Sequence, residues 1–544
     1  MSNKLTGKSN KKQNVEEQSG AGIAKNLIEY LISVMCIALS ILIPLYLKDG
    51  YHGVGDCKYE AYKWVMIISV SLIGFFALLY LVMSSGKMNI KFGLTEYLCI
   101  AFLALVFLSS VGSGYFKECM TGYSGWYIGF FVLASFMFLM FVVKNGGTFY
   151  KSTIGIMLGT AFITFAIAIL HRLMIDVIGT YGLGTAAEIE DKYKNQFLST
   201  LGQASWYSGF LCTVLPLGIA FFCFSEKMMI RILSGIFVGA GFMSLVTQNS
   251  DSAYFALIGF FFVFFWYCIV DAKKMERFLL LFVLFMVSTR LMKLLFMVHP
   301  NPILELDPIG NIIINNNSMW IVTIVAFVFW GIAYFYGKAD KQMYPVEIMK
   351  KVRLVALGLL MFVLLAAVVI LVWGTKGTLP DALVKMTEKV PYLVWYDNWG
   401  NGRGRTWAFT VQMYKDMDIW HKLFGAGPDG YAHYAYALYE DRLADMWANR
   451  TLTNAHNEWL NAFINYGLFG AVAYIGIFIS VFCTIIKKWK NESILCGIIA
   501  CVVSYMCHNF FCYQTVCCTP FIFMIMGIGL YICQKSEKNT EQFK

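Results

Sequence analysis

Residue types suited to chemistry gather in one polar stretch of an otherwise apolar chain, between Trp399 and Leu468. Arg403 and Arg405 follow a Gly-Asn-Gly turn, and His456 stands further along. Guanidinium groups suit two-point contacts with phosphate or carboxylate, and imidazole can take a proton from a hydroxyl near neutral pH. The stretch therefore predicts a site that holds an anion and activates a hydroxyl. The arginines could equally contact lipid headgroups or loop carboxylates, and the histidine could bond a loop carbonyl.

The position of His456 bears on its basicity. Thr453 or Asn454 can cap a helix that begins near Asn457. The positive end of such a helix lowers the pKa of a nearby histidine and favours the neutral imidazole. The free backbone N–H groups at the same end attract phosphate. We therefore expect His456 to act as a general base or to lie beside a bound phosphate.

Two further helices are predicted within the polar stretch. Apolar residues recur at helical spacing from Arg405 to Trp420, and a second amphipathic segment, about 431–448, is rich in tyrosine and alanine. The sequence Gly-Ala-Gly-Pro-Asp-Gly at 425–430 separates them with residues that permit tight turns. The first of these helices could lie on the membrane surface or pack on the top of the bundle.

The rest of the chain is predicted to lie in a membrane. Hydrophobic residues make up 58% of the 544 and charged residues only 14%. Apolar runs of about 20 residues recur along the chain, the length that crosses the hydrocarbon core of a bilayer as a helix. The predicted fold class is therefore all-α, a polytopic helical membrane protein with about fourteen spans and one large extracellular helical loop. The spans are approximately 26–47, 64–83, 96–113, 126–143, 152–172, 204–224, 231–248, 252–271, 277–297, 318–337, 353–374, 461–486, 493–511 and 514–533.

Basic residues predict the orientation of the spans. More than half of the 43 lysines and arginines fall before the first span, in every second loop after it, or in the C-terminal tail. Such residues stay on the cytoplasmic side, so both termini are expected in the cytoplasm and the large loop outside. The predicted organisation is a disordered tail (1–25), spans 1–11 (26–374), the extracellular loop (375–456), spans 12–14 (457–533) and a second tail (534–544).

Composition disfavours two classes of function. The net charge of +10 is spread over short loops without a basic, aromatic face, so nucleic acid is not an expected partner. Transporters commonly carry broken helices and charges inside their spans. Here only Pro44, Pro216 and Pro520 fall within spans, and Arg290 is the best candidate for a charge at membrane depth.

The 15 cysteines do not indicate a disulfide framework. Most lie in apolar spans, where cysteine behaves as a small hydrophobic residue. Cys57 and Cys119 both fall in outward loops and could pair. A cluster of four cysteines and one histidine between residues 507 and 518 matches no regular zinc-binding spacing. No metal and no cofactor are therefore expected.

Taken together, the motifs of the polar stretch resemble the O-antigen ligase and O-antigen polymerase superfamily. They are Arg403 with Trp407 four residues later, residues 423–429 (LFGAGPD), and residues 455–460 (AHNEWL) leading into 467–470 (GLFG). Weaker similarity extends to residues 202–207 (GQASWY) and 247–252 (TQNSDS). The order of elements also fits, with many spans and one large outer loop before the last few.

The resemblance implies an activity and its partners. Members of this superfamily are polytopic enzymes of the bacterial cell envelope. They transfer glycans, without metal, from an undecaprenyl-diphosphate carrier on the outer face of the cytoplasmic membrane. Carried over by residue, the resemblance makes Arg403 a contact of the diphosphate and His456 the catalytic histidine that activates the acceptor. The further predicted substrate-binding residues are Arg405, Trp407, Asn457 and Arg290.

One segment departs from the pattern of the superfamily. Members often carry a Ser-Arg pair where this chain has Asn-Ser-Asp at residues 249–251. Either the diphosphate is held differently here, or Arg405, Arg290 or Arg172 replaces the arginine that is absent. We favour Arg405, because it lies outside the membrane.

The predicted function is the transfer of a glycan from the lipid diphosphate to an acceptor hydroxyl at the cell membrane. The acceptor could be another lipid-linked repeat unit, a lipid core, a teichoic-type polymer or a protein, so ligation and polymerisation both stay open. The alternative is a flippase for lipid-linked oligosaccharides or another polytopic transporter. Such a protein would have little use for a structured outer loop that bears arginine and histidine.

Overall fold

The computed structural model describes residues 20–86, 90, 92–180, 195–338, 345–376, 379–380, 384, 393–397, 399–447, 451–490 and 492–542. Their regular structure is almost entirely helical. In chain order the elements are α1 (Gly20–Leu45), α2 (Val54–Met83), α3 (Leu94–Gly112), α4 (Phe116–Thr121), α5 (Phe130–Gly146), α6 (Tyr150–Arg172), β1 (Phe197–Leu198), β2 (Gly202–Gln203), α7 (Ala204–Phe224), α8 (Met228–Leu245), α9 (Ser252–Cys268), α10 (Ala272–Val298), α11 (Pro308–Asn315), α12 (Ser318–Lys338), α13 (Val346–Thr375), α14 (Trp399–Asp416), α15 (Ile419–Phe424), α16 (Tyr431–Trp447), α17 (Glu458–Ile486), α18 (Ile494–His508) and α19 (Thr519–Gln542).

Each predicted span overlaps one helix, namely α1–α3, α5–α10, α12, α13 and α17–α19. Within the described ranges, ten of these helices are long and apolar enough to cross a membrane by length and composition. Helices α5, α9 and α18 are shorter and apolar, and α19 is apolar as far as Cys533. The prediction of an all-α polytopic membrane protein is confirmed. Helix α1 starts at Gly20 and α19 reaches Gln542, while residues 1–19 of the predicted N-terminal tail lie outside the described residues.

Other helices cover most of the surface of α7, which shows that this helix lies at the centre of the bundle. It packs against α8 and α18, and α18 in turn packs against α9. A glycine allows one of these contacts: a Cβ atom on Gly209 would lie 3.1 Å from the His508 ring. Helix α19 packs on α5, and α3 packs on α17. In contrast, α13 has no buried residue, so its apolar surface faces lipid.

The helices of the polar stretch form a small layer at one end of the bundle, which we call the loop end. The predicted helix 405–420 corresponds to the regular part of α14, which follows a kink and stops at Asp416. The kink is formed by residues 400–402, whose φ values of 58°, 61° and 87° make the tight turn before Arg403. The second predicted helix is confirmed as α16. Together α14 and α16 enclose their own apolar core around Phe409, Met413 and Tyr431.

The third predicted helix is confirmed as α17, but the predicted caps are wrong. The side chain of Asn457 caps α17 by accepting a hydrogen bond from the backbone N–H of Leu460 at 3.0 Å. Asn454 instead accepts one from the backbone N–H of His456 at 2.9 Å. The chain turns sharply at His456, where φ is 49°, so the helix cannot start before this residue.

The Gly-Ala-Gly-Pro-Asp turn joins the loop helices to the bundle. The backbone N–H groups of Ala426 and Gly427 donate to the carbonyls of Ile464 and Asn465 at 2.8 and 3.0 Å. The Asp429 carboxylate accepts hydrogen bonds from two backbone N–H groups in the α4–α5 connection, at 3.0 and 2.7 Å. Burial raises the pKa of Asp429 to about 6, against the opposing effect of those two bonds. This motif therefore positions the loop layer on the bundle.

The possible Cys57–Cys119 disulfide is wrong, because all the cysteines are free thiols. Cys119 is buried, and its Sγ donates a hydrogen bond to Ser113 Oγ at 3.3 Å. The thiol packs so closely on the turn at Gly427 that a Cβ atom there would lie 2.3 Å from it. Cys119 therefore fills space beneath the Gly-Ala-Gly-Pro-Asp turn.

Candidate functional site

A polar cavity of about 690 Å³ lies at the loop end. We call it the loop-end cavity. Five parts of the chain meet there: the hairpin that leads into α7, the α8–α9 turn, the start of α14, the end of α16 and His456 before α17. Its lining residues are Asn195, Gln196, Gln203, Ala204, Ser205, Asn249, Ser250, Asp251, Asn401, Gly402, Arg403, Thr406, Trp447 and His456.

Short-range structure holds the bundle side of this cavity in shape. Strands β1 and β2 form an antiparallel hairpin that leads directly into α7. In the α8–α9 turn, Asn249 adopts φ 64° and its side chain bonds the backbone of Glu305 and Asp307 at 2.6 and 3.1 Å. Arg172, at the end of α6, donates Nε to the carbonyl of Thr247 at 2.7 Å and Nη2 to that of Asn195 at 3.1 Å. Arg172 therefore connects the α8–α9 turn to the segment that precedes the hairpin.

Arg403 follows the Gly-Asn-Gly turn and lines the cavity. Its Nη1 donates to the carbonyl of Gly400 at 2.8 Å, and its Nε donates to that of Phe511 at 3.1 Å. The guanidinium lies 6.0 Å from the centre of the Phe511 ring. Two backbone carbonyls thus fix the orientation of the group without neutralising its charge. Among the residues that the structure describes, Arg403 is the one cationic side chain that lines this cavity.

His456 lines the same cavity. Its ring packs edge-on against Tyr513, with ring centres 5.2 Å apart. Its backbone is held in the left-handed region by the bond to Asn454. Within the described part of the chain, neither ring nitrogen takes part in a hydrogen bond, so both keep their capacity for a substrate. This disfavours the interpretation of His456 as a residue that bonds a loop carbonyl.

The local environment makes His456 neutral at physiological pH. Burial lowers its pKa, and the positive charge of Arg403 lowers it further, to about 4. The predicted direction is confirmed, although the causes differ from the helix dipole that the sequence suggested. Because Arg403 acts on His456 through its charge, the two side chains form one electrostatic unit. An anion bound at Arg403 would offset that charge and raise the basicity of His456.

Sequence reasoning missed the connection between α18 and α19, residues 509–518. It lies beneath the cavity and contacts both candidate residues: Phe511 receives the bond from Arg403, and Tyr513 supports the ring of His456. The Tyr513 hydroxyl also donates to Gln203 in the cavity wall at 3.4 Å. The available signal was a polar and aromatic run, HNFFCYQT, between two apolar helices.

A buried carboxylate reinforces this connection. Glu458, the first residue of α17, accepts hydrogen bonds from the hydroxyls of Tyr474 and Tyr505 and from the amides of Asn509 and Gln514. Its own backbone N–H donates to the carbonyl of Asn509 at 3.0 Å. A buried charged group is tolerated when hydrogen bonds replace its water. The network joins α17, α18 and the 509–518 connection directly behind His456.

Arg405 and Trp407 take positions beside the cavity, and neither is a lining residue. Arg405 donates to the carbonyl of Met446 at 2.7 Å and lies 4.8 Å from the ring centre of Trp447, which does line the cavity. Trp407 is buried in an aromatic cluster and stacks on Phe511 with ring centres 5.8 Å apart. Both residues therefore contact the walls of the site from behind.

The other predicted residues are also away from the cavity surface. The Asn457 side chain caps α17. Arg290 is buried in α10, where it donates to the carbonyl of Ile313 and lies 5.6 Å from the ring centre of Trp320. Of the three arginines considered as replacements near residues 249–251, Arg172 bonds that turn most directly, through the carbonyl of Thr247.

The cysteine and histidine cluster at 507–518 has a structural arrangement. His508 Nε2 bonds Ser208 Oγ at 2.8 Å, and its Nδ1 bonds Asn509 Oδ1 at 2.7 Å. Across the described ranges, no group of three or more His, Cys, Asp and Glu side chains is placed to hold a metal ion. The His508 ring instead connects the N-terminal part of α7 to the network of Glu458.

Part of the chain matches a known protein family. Residues 309–475 match the family described as O-antigen ligase. The matched segment runs from α11 into α17 and contains Arg403 and His456. The predicted resemblance is confirmed, and the match supports a ligase or polymerase type of function in general. No curated protein matches the chain. The hairpin and the α8–α9 turn lie outside the matched segment, yet they complete the same cavity.

Proposed function

We propose that this protein, whose residues 309–475 match the O-antigen ligase family, is a membrane glycosyltransferase that works in the loop-end cavity. It moves a glycan from an undecaprenyl-diphosphate carrier to the hydroxyl of an acceptor. The observation that carries the proposal is the meeting of Arg403 and His456 in one polar cavity. One supplies a fixed positive charge and the other an uncharged base.

Arg403 acts on the leaving group. As the bond from the anomeric carbon to the diphosphate oxygen breaks, negative charge grows on that oxygen. A preoriented guanidinium in a site sheltered from water stabilises such charge strongly. The bonds from Arg403 to two backbone carbonyls supply this orientation before substrate arrives. No large rearrangement is then required during the reaction.

His456 acts on the acceptor. Its neutral imidazole takes the proton from the attacking hydroxyl as the new bond to the anomeric carbon forms. Diphosphate at Arg403 raises the basicity of His456, so the base becomes stronger when donor is bound. The side chains of Asn195 and Asp251 can bond sugar hydroxyls, since they line the same space. Holding both substrates in one cavity supplies their orientation.

The loop end faces the outside of the cytoplasmic membrane in this proposal. The support is the concentration of lysines and arginines in the termini and in alternate connections, which stay on the cytoplasmic side. The diphosphate would then enter at the level of the outer lipid headgroups. The polyprenyl chain would remain among the lipid tails beside the bundle.

A transfer assay tests the proposal and separates the two reactions. The full-length protein in liposomes would receive undecaprenyl-diphosphate-linked repeat units, and product length would be followed with time. Growth of chains without a second acceptor identifies a polymerase. Transfer that occurs only after a lipid core, teichoic-type polymer or protein acceptor is added identifies a ligase. Absence of transfer with every acceptor contradicts the proposed activity.

The assigned roles need variants and a matched control. His456→Ala and Arg403→Ala should both lose most activity. His433 provides the control, because this histidine belongs to the loop layer but stacks on Tyr115 with ring centres 4.7 Å apart, away from the cavity. The variant His433→Ala should keep its transfer rate. Unchanged turnover in both cavity variants would overturn the assignment of these residues.

A further inference from the structure

A second and larger cavity lies at the opposite end of the bundle. Its volume is about 1240 Å³, and α6, α7, α8, α18 and α19 contribute to its walls. Helix α7 starts at the loop-end cavity with Ala204 and reaches this second cavity at Phe221. A helix rises 1.5 Å per residue, so the two sites lie on the order of 25–30 Å apart, near the two surfaces of a membrane. We call the second cavity the lysine-end groove.

The groove exists because small residues leave one face of α6 bare. Gly155 and Gly159 stand one helical turn apart in its lining, and a Cβ atom on either would have no neighbour within 4 Å. Opposite them, Leu233 and Ile236 of α8 expose 59% and 56% of their surface. Hydrocarbon chains are the ordinary occupant of an apolar recess on the lipid-facing side of a membrane protein.

The mouth of the groove is basic. Lys151, Lys227 and Lys535 lie in its lining, and each is exposed. None of the three forms an ion pair with another residue that the structure describes. Glu492 is the acidic side chain of the same lining, so three positive charges and one negative charge leave a net +2. An apolar recess with a cationic mouth matches a molecule that has hydrocarbon tails and an anionic head.

We propose that the lysine-end groove binds an anionic phospholipid from the leaflet at that end of the bundle. The acyl chains lie against Gly155 and Gly159, and the phosphate head lies among Lys151, Lys227 and Lys535. Each lysine near an anionic headgroup contributes about fivefold to affinity. A zwitterionic phospholipid gains less, because its own ammonium group is repelled by the same lysines. The inference requires only that the chain spans a membrane, and it does not depend on the proposed transfer chemistry.

Native mass spectrometry of the full-length protein tests the proposal. Phosphatidylglycerol and phosphatidylethanolamine with identical acyl chains would be titrated against the protein in detergent. We expect phosphatidylglycerol to bind at least tenfold more tightly. The triple variant K151A/K227A/K535A should lose this preference. A control variant K25A/K351A/K487A removes three exposed lysines outside the groove lining and should keep it.

Two further variants test the apolar walls of the groove independently of charge. Gly159→Leu fills the groove without a clash, because open space surrounds a Cβ atom there, and Gly155→Leu does the same one turn away. Both should weaken phosphatidylglycerol binding while the protein keeps its thermal unfolding midpoint. The proposal is overturned if the triple lysine variant retains the preference for phosphatidylglycerol, or if the two lipids bind equally to the unaltered protein. It is also overturned if both leucine variants bind phosphatidylglycerol as before.

Discussion

The two sides of the α17 N-terminus differ in how their hydrogen-bonding groups are used. On the cavity side, neither His456 nor Arg403 is paired with a carboxylate among the described residues, and both ring nitrogens of His456 are clear of bonds to those residues. On the bundle side, Glu458 two residues later accepts bonds from four side chains. Hydrogen-bonding groups that have no partner in the protein are available to bind substrate. Groups whose bonds are all made within the protein support the site from behind. The two sides should therefore respond differently to substitution.

The largest expected effect follows removal of the base. His456→Ala should lower the transfer rate by about 10²–10⁴-fold, the usual contribution of general base catalysis. Its unfolding midpoint should stay close to that of the unaltered protein, because the ring makes one aromatic contact and no hydrogen bond among the described residues. A thermal melt alongside the transfer assay measures both. A large loss of stability would instead show that His456 has a structural role.

Removal of the fixed charge comes next. Arg403→Ala should lower the transfer rate by about 10²–10³-fold, as loss of one group that stabilises developing negative charge does elsewhere. Arg405 offers the matched comparison two residues away, since it packs behind Trp447. Arg405→Ala should cost less than about tenfold in rate. If Arg405→Ala were the more damaging change, the sequence-based preference for Arg405 at the diphosphate would be correct and the cavity assignment wrong.

On the bundle side the effect should appear in stability. Glu458→Ala leaves four buried donors without an acceptor and should lower the free energy of unfolding by about 2–4 kcal/mol. Glu458→Gln keeps one acceptor oxygen and should lose less. Chemical or thermal unfolding in a defined detergent measures the difference. A Glu458→Ala variant as stable as the unaltered protein would show that the network does not support the site.

The pH dependence gives the smallest but most specific effect. Burial and the charge of Arg403 lower the pKa of His456 to about 4, and the neutral form is the proposed base. Activity should therefore be constant above about pH 5 and fall tenfold per pH unit below the pKa. Arg403→Ala removes the second cause of the lowering, so the midpoint of kcat/KM in that variant should move to higher pH. An identical midpoint in both proteins would contradict the coupling of Arg403 and His456.

Local patterns sufficed to predict the membrane helices. A span is recognised by the length of its apolar run, which each segment carries by itself, so each predicted span overlaps a helix. The caps of α17 were harder. Thr453, Asn454 and Asn457 are all suitable cap residues, and the choice among them depends on the reversed turn at His456. The backbone N–H of His456 holds that turn by donating to Asn454, and the ring of His456 packs on Tyr513, far along the chain.

The candidate site was predictable only in part for the same reason. Arg403 and His456 attract notice because they belong to motifs in one long polar stretch of an apolar chain. Nothing local indicates that the 509–518 connection lies beneath them, or that Asn195 faces the same cavity from more than 200 residues away. Asp429 likewise looks like part of a reactive motif, whereas its carboxylate holds backbone N–H groups of Tyr123 and Ile128. Contacts over such sequence distances follow from packing alone.

In the proposed mechanism, Arg403 holds the diphosphate while His456 serves the acceptor. The most direct measurement is the binding of undecaprenyl diphosphate to the full-length protein in nanodiscs, with the Arg403→Ala and His456→Ala variants beside it. Loss of a charge-assisted hydrogen bond should weaken binding to Arg403→Ala by about 10–100-fold. His456→Ala should bind within about threefold of the unaltered protein while its transfer rate collapses. Equal binding to the unaltered protein and Arg403→Ala, or loss of binding in His456→Ala alone, would contradict this division of roles.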